Sequence, residues 1–143
     1  MTKRLNNQRG TALLETAITI PIVLLICVGI FEFGRAYQTF QVLTNAAREG
    51  ARVSIIMSNS DQQVQDAVKN YLTNGRLSNP ASAVITVNRS EPFSGANTAS
   101  RITVSYPFSF IVLNPVAKLV VKTSTTGSSA LTMQSVALMR NEI

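Results

Sequence analysis

The sequence predicts an α+β chain: a long N-terminal transmembrane helix continuing into a small exported domain, with a short helix and a three- or four-stranded antiparallel sheet. Three observations predict it. Residues 16–31 carry no charge and are dominated by Ile, Val and Leu. From 34 to 52 polar residues recur with helical period, and after residue 83 two segments alternate apolar and polar side chains. The expected divisions are 1–10, a basic leader, 11–56, the membrane-spanning and continuing helix, and 57–143, the exported domain.

The first element is short and basic. Lys3, Arg4 and Arg9 supply half of the formal net charge of +6, and the other ten basic residues stand against seven acids. The high pI therefore reflects the leader, and no basic stripe interleaved with aromatics points to nucleic acid.

The span follows. Residues 11–31 make 21 residues, about 32 Å of helix and enough for the hydrocarbon core. The helix is apolar on every side, and a domain of roughly 85 residues has no core deep enough to hide it. With positive residues before the span and Glu32 offset by Arg35 after it, the N-terminus is expected in the cytoplasm and the C-terminus outside. A cleaved secretory signal fits less well, because the bulky, charged Phe31-Glu32-Phe33-Gly34-Arg35 stands where a small-residue site belongs. Cys27 is preceded by bulky Ile26, unlike a lipidation site, and reads as a small apolar residue of the span.

Two residues do not suit a plain anchor. Glu15 lies in the apolar stretch, where a carboxylate costs on the order of 2.5–3.5 kcal/mol at the bilayer centre and less near an interface. The plain alternative is a side chain that reaches the headgroups beside a helix start. Pro21 removes a backbone donor and displaces the Ala17 carbonyl, so a kink or a locally melted turn is expected near 17–21.

Beyond the span, Gly34, Gln38, Gln41, Asn45, Arg48 and Arg52 form one polar stripe, with a Glu49–Arg52 pair on the solvated face. Ala36, Phe40, Leu43, Ala47 and Gly50 form the opposite stripe. Small residues at Ala46, Ala47, Gly50 and Ala51 predict close packing there, either onto the chain's own domain or onto another subunit. A second helix is expected over 61–73: Ser60 and Gln63 make a capping box, Val64, Ala67, Val68, Tyr71 and Leu72 fill one face, and Asn74-Gly75 closes it with a left-handed residue. Strands are expected at 83–88 and 101–106, separated by a polar loop at 90–100, with Pro107 ending the pairing or marking an edge. A short helix at 114–121, a polar turn at 123–129 and a last strand at 130–140 complete the pattern.

The N-terminal residues resemble a known family. Arg9-Gly10-Thr11-Ala12-Leu13-Leu14-Glu15 resembles a type IV prepilin cleavage site, in which a basic leader ends in Gly and Glu stands fifth in the mature chain. Pro21, Gly29-Ile30-Phe31-Glu32-Phe33-Gly34-Arg35 and Asn45-Ala46-Ala47-Arg48-Glu49-Gly50-Ala51-Arg52 are similar to the TadE family, as is Met139-Arg140-Asn141-Glu142 in outline. TadE-like proteins are minor pilins, or pseudopilins, of tight-adherence (Flp-type) pilus systems. Thr16 stands where major Flp pilins carry an aromatic, which departs from the major subunit.

The resemblance implies a processing site between Gly10 and Thr11, with Glu15 pairing the new amine. It implies a prepilin peptidase, other pilins or pseudopilins, an inner-membrane assembly platform and the lipid bilayer as partners. It also implies a place in the bacterial cytoplasmic membrane, with incorporation into a surface pilus, and a role in assembly, priming or tip formation for adhesion.

Catalysis is not expected. The chain has no His, no second Cys, no phosphate-binding Gly-rich loop and no spaced pair of acids, so neither a catalytic set nor a metal or cofactor site is called for. The alternatives to a pilin are an uncleaved single-pass accessory protein or sensor of a secretion system and, last, an exported enzyme or lipoprotein.

Overall fold

The computed structural model describes residues 8–56, 58–93, 98–112 and 131–141. Helix α1 runs over Gln8–Ser54 and α2 over Asp61–Asn74. A 3-10 turn at Pro80–Ser82 leads into strands β1 (Val84–Pro92), β2 (Thr98–Phe108) and β3 (Leu131–Arg140). The strands form one antiparallel sheet in the order β1-β2-β3. Among the described residues the α+β class and the three-stranded alternative are thus the observed ones. The predicted short helix at 114–121 and turn at 123–129 lie outside the described residues.

The second half of α1 lies against α2, β2 and β3. Leu43, Ala46, Ala47 and Ala51 of α1, Val64, Val68 and Leu72 of α2, and Ile102, Val104, Tyr106 and Phe108 of β2 make one core. The buried stripe on α1 includes Glu32, Leu43, Ala46, Ala47, Gly50 and Ser54, a near-3.6 repeat. Phe40, expected within that stripe, is 45% exposed, and Thr39 is turned further inward, its hydroxyl donating to the Arg35 carbonyl at 3.0 Å. The small residues permit close approach: a Cβ at Gly50 would lie 2.5 Å from Val68 Cγ2 and 3.2 Å from Ile102 Cγ2. The helix therefore meets α2 and the sheet at one point, which any larger residue would push apart.

Helix α2 starts as its sequence predicts, with Gln63 N donating to Ser60 Oγ at 3.3 Å and Ser60 N to Gln63 Oε1 at 2.8 Å. Its inner face is narrower than expected, because Ala67 is half-buried and Tyr71 exposed. Its end also differs. Gly75 has φ −72°, and the left-handed residue is Arg76, at φ 56°. Gly75 serves proximity rather than torsion, since a Cβ there would collide with the Val42 side chain of α1.

Strands β1 and β2 outrun their predicted lengths, while β3 matches its own within one residue. Glu91 and Pro92 pair with Ala99 and Thr98 beyond an irregularity between Asn88 and Glu91, which shortens the expected 90–100 loop. Pro107 sits inside β2, opposite Thr132, and pairing continues to Phe108. The pairing of β1 with β2 has already ended at Val84↔Ser105, so β2 there has a neighbour on one side only and the missing donor is tolerated.

Arg89 ties the far end together. It donates to the Ser54 carbonyl at 3.2 Å, to the Asn59 carbonyl at 2.7 Å, and to Asp61 Oδ1 at 2.7 Å. One guanidinium thus closes the α1 C-terminus and the turn into α2. Its own carbonyl accepts from Asn141, which also bonds Thr98 and Ser100 and locks the end of β3 to β2. Asp61 is largely exposed, so the carbonyl bonds matter more than the ion pair. Arg89→Ala is expected to destabilise the domain by about 2 kcal/mol in urea unfolding, and a change below about 0.5 kcal/mol would show that water replaces these bonds.

Candidate functional site

The first half of α1 carries no domain. None of its apolar stretch is buried, and the helix is long and apolar enough to cross a membrane. Leu13, Leu14, Ile18, Ile22, Val23, Leu24, Leu25 and Ile26 all lie open. A soluble chain would cover such a surface, because each apolar side chain left in water forgoes about 1.5–3 kcal/mol of burial. The chain is therefore consistent with a single-pass membrane protein whose span lies within 11–31.

Glu15 belongs to this free helix. It lies on one face with Thr16, Thr19, Ile20, Val23 and Leu24. The threonine hydroxyls turn back into the helix, Thr16 donating to the Ala12 carbonyl at 2.7 Å and Thr19 to the Glu15 carbonyl at 2.8 Å. That satisfies them in an apolar setting, and the carboxylate remains the polar group that the helix presents outward. Thr11 is one turn upstream of Glu15 on the same helix. The helix stays α-helical through Pro21, so the melted turn expected near 17–21 is absent: the flanking turns hold their own hydrogen bonds while one donor is lost.

The residues singled out from the sequence fall into two groups. Gly10, Thr11, Glu15 and Pro21 share the free helix. Ala46, Ala47, Gly50 and Ala51 are buried in the chain's own core, some 36 positions further on, or about 54 Å along the axis. The three alanines share one core cluster with α2 and β2 of the same chain, and Gly50 lies against Val68 and Ile102.

Between the groups is a feature not foreseen from the sequence. Glu32, the first charged residue after the span, is fully buried. Its carboxylate accepts the Val112 N–H at 2.6 Å and pairs with Arg35 at 3.0 Å. Arg35 also donates to the Ser109 carbonyl and lies over the Phe108 ring, 4.5 Å from its centroid. Phe108 in turn meets Phe110 edge to face at 5.2 Å. The pair clasps the segment after β2 to the helix as it leaves the span. Burial alone would raise the Glu32 carboxyl, but the Val112 N–H, Arg35 and the Ile111 N–H together hold it below the ordinary carboxylate value. The only local signal was opposite charges at i and i+3; the partners are about 80 residues away and invisible to periodicity.

The Glu49–Arg52 pair expected on the solvated face is present, at 2.6 Å. Among the described residues no three His, Cys, Asp or Glu side chains converge as a metal site would.

No curated protein and no solved structure matches the chain. A family model described as TadE-like protein does, over residues 10–52. That range opens at Gly10, takes in Glu15, Pro21 and the Glu32–Arg35 pair, and closes at Arg52 on the docked half of α1. The uncovered half of α1 and the helix face that carries the domain are thus the part of this chain that is similar to TadE-like proteins, the family that its N-terminal motifs resemble.

Proposed function

We propose that the protein is a minor pilin, or pseudopilin, of a tight-adherence (Flp-type) pilus. A prepilin peptidase cleaves between Gly10 and Thr11. The span then holds the subunit in the bacterial cytoplasmic membrane with its domain exported, until an assembly platform draws it into a growing pilus to prime it or form its tip. Its work is assembly rather than catalysis.

The observation that carries this reading is a carboxylate on the outside of an uncovered apolar helix, one turn from the residue that cleavage would make the N-terminus. In lipid a lone carboxylate is costly and an ion pair far less so. The α-amine of Thr11, on the same chain or its neighbour, supplies the counter-charge, and pairing between chains sets the axial register of the helices. The TadE-like match over that same segment supports it.

Glu15→Ala removes the pairing without touching the domain, since Glu15 lies on the uncovered part of α1. The variant is expected to reach the membrane, keep its fold and fail to co-purify with the other pilins or restore piliation. Glu15→Asp, which keeps the charge, is expected to restore part of both. Wild-type assembly by Glu15→Ala would remove the pairing from the account.

A further inference from the structure

We propose that the segment after β2, residues 109–112, lies in the headgroup layer of the bilayer as a second lipid contact, with Ile111 directed at the membrane. This rests on the reading of residues 11–31 as a span. The Glu32 clasp fixes the segment's height. Val112 N–H is bound to Glu32, and the Ser109 carbonyl to Arg35. Residues 32–35 begin where the charge-free run ends, and four residues of helix rise about 6 Å, close to the thickness of one headgroup layer. A segment tied to those residues therefore sits within that layer whatever the tilt of the domain above it.

Its surface suits that position. Ile111 is 61% exposed, and on the helix beside the clasp Phe31 and Phe33 are 61% and 71% exposed. Tyr37, one turn further, is also open. Isolated exposed apolar residues need no explanation, but these continue the uncovered surface of the span across the first turn of the domain. Aromatic rings at the level where a helix leaves the hydrocarbon are characteristic of membrane interfaces. The charged groups at that level are neutralised within the clasp, Glu32 by Arg35 and two backbone donors. The domain thus presents apolar side chains and paired charges to the lipid, so its β2 end rests on the bilayer and does not swing freely on the helix.

The chain contains no Trp, so single-Trp variants report without background. Four full-length variants are reconstituted at low protein density in phosphatidylcholine vesicles, with and without brominated acyl chains: V23W in the span, F33W at its exit, I111W in the proposed contact and Q62W in the first turn of α2. All four positions are exposed, and thermal melts confirm that each variant folds. Brominated lipid is expected to quench V23W most, F33W and I111W to a similar lesser extent with blue-shifted emission, and Q62W not at all. Quenching of V23W and F33W with I111W as unquenched as Q62W would overturn the lipid contact while leaving the span intact. An unquenched V23W would overturn both. Emission at I111W that depends on protein density and not on bromine would assign the surface to a second subunit and overturn the proposal.

Discussion

Leu43→Ala is expected to destabilise the C-terminal domain by about 2–5 kcal/mol. Leu43 is fully buried and among the largest side chains that are. It lies on the helix face flanked by small residues at Ala46, Ala47 and Gly50, where α1 approaches α2 and β2 closely. Truncation loses the transfer energy of its methyl groups and leaves a cavity that rigid helix and sheet cannot close. A small domain has roughly 5 kcal/mol or little more to lose, so the variant is expected to be protease-sensitive in the membrane while its span still inserts. Phe40→Ala is the control. Phe40 is on the same helix but 45% exposed, and its loss is expected to cost about 0.5 kcal/mol or less. Equal destabilisation by the two would show that the helix docks through a different face.

Glu32→Ala is expected to cost about 2–3 kcal/mol, because it strands the Val112 donor and leaves Arg35 without its counter-charge. Glu32→Gln keeps one acceptor and is expected to lose less. Hydrogen exchange at the Val112 amide distinguishes the cause: it should accelerate in both variants, whereas amides of the Ile102–Val104 region should change only with global stability. The pH dependence follows from the lowered Glu32 pKa. The unfolded chain binds the proton more readily than the folded one, so the stabilisation is present above the ordinary value of 4.5 and is lost as pH falls below it. Domain stability in the Glu32→Gln variant should therefore fall less between pH 5 and pH 3 than in the wild type. A wild-type profile identical to the variant's would contradict the clasp.

What periodicity and end-signals specify locally was legible in the sequence. The span, the capped start of α2 at Ser60, and the inward faces of Ile102, Val104 and Tyr106 all follow from spacing and residue type within a few positions. Apolarity does not make Phe40 face inward: the helix face turns so that Thr39 is half-buried and the aromatic is exposed. Gly75 was assigned a torsional role, but its neighbour Val42 lies on another helix, so the need for a bare Cα could not be seen in the local sequence. The strand ends at 91–92 and 98–99 lack an apolar alternation, and their pairing depends on an irregular register that alternation does not encode. Glu32, Arg89 and Asn141 were hidden for one reason: each satisfies partners distant in sequence, where composition shows only a surface charge or amide.

On the proposed function, Glu15 meets an amine created at Thr11. The most direct test is the intact mass and N-terminal sequence of the protein isolated from membranes of cells with an active prepilin peptidase. A mature chain beginning at Thr11 is expected, reverting to the full-length form when the peptidase is inactivated or Gly10 is replaced. A chain that still carries residues 1–10 while the pilus assembles would contradict it.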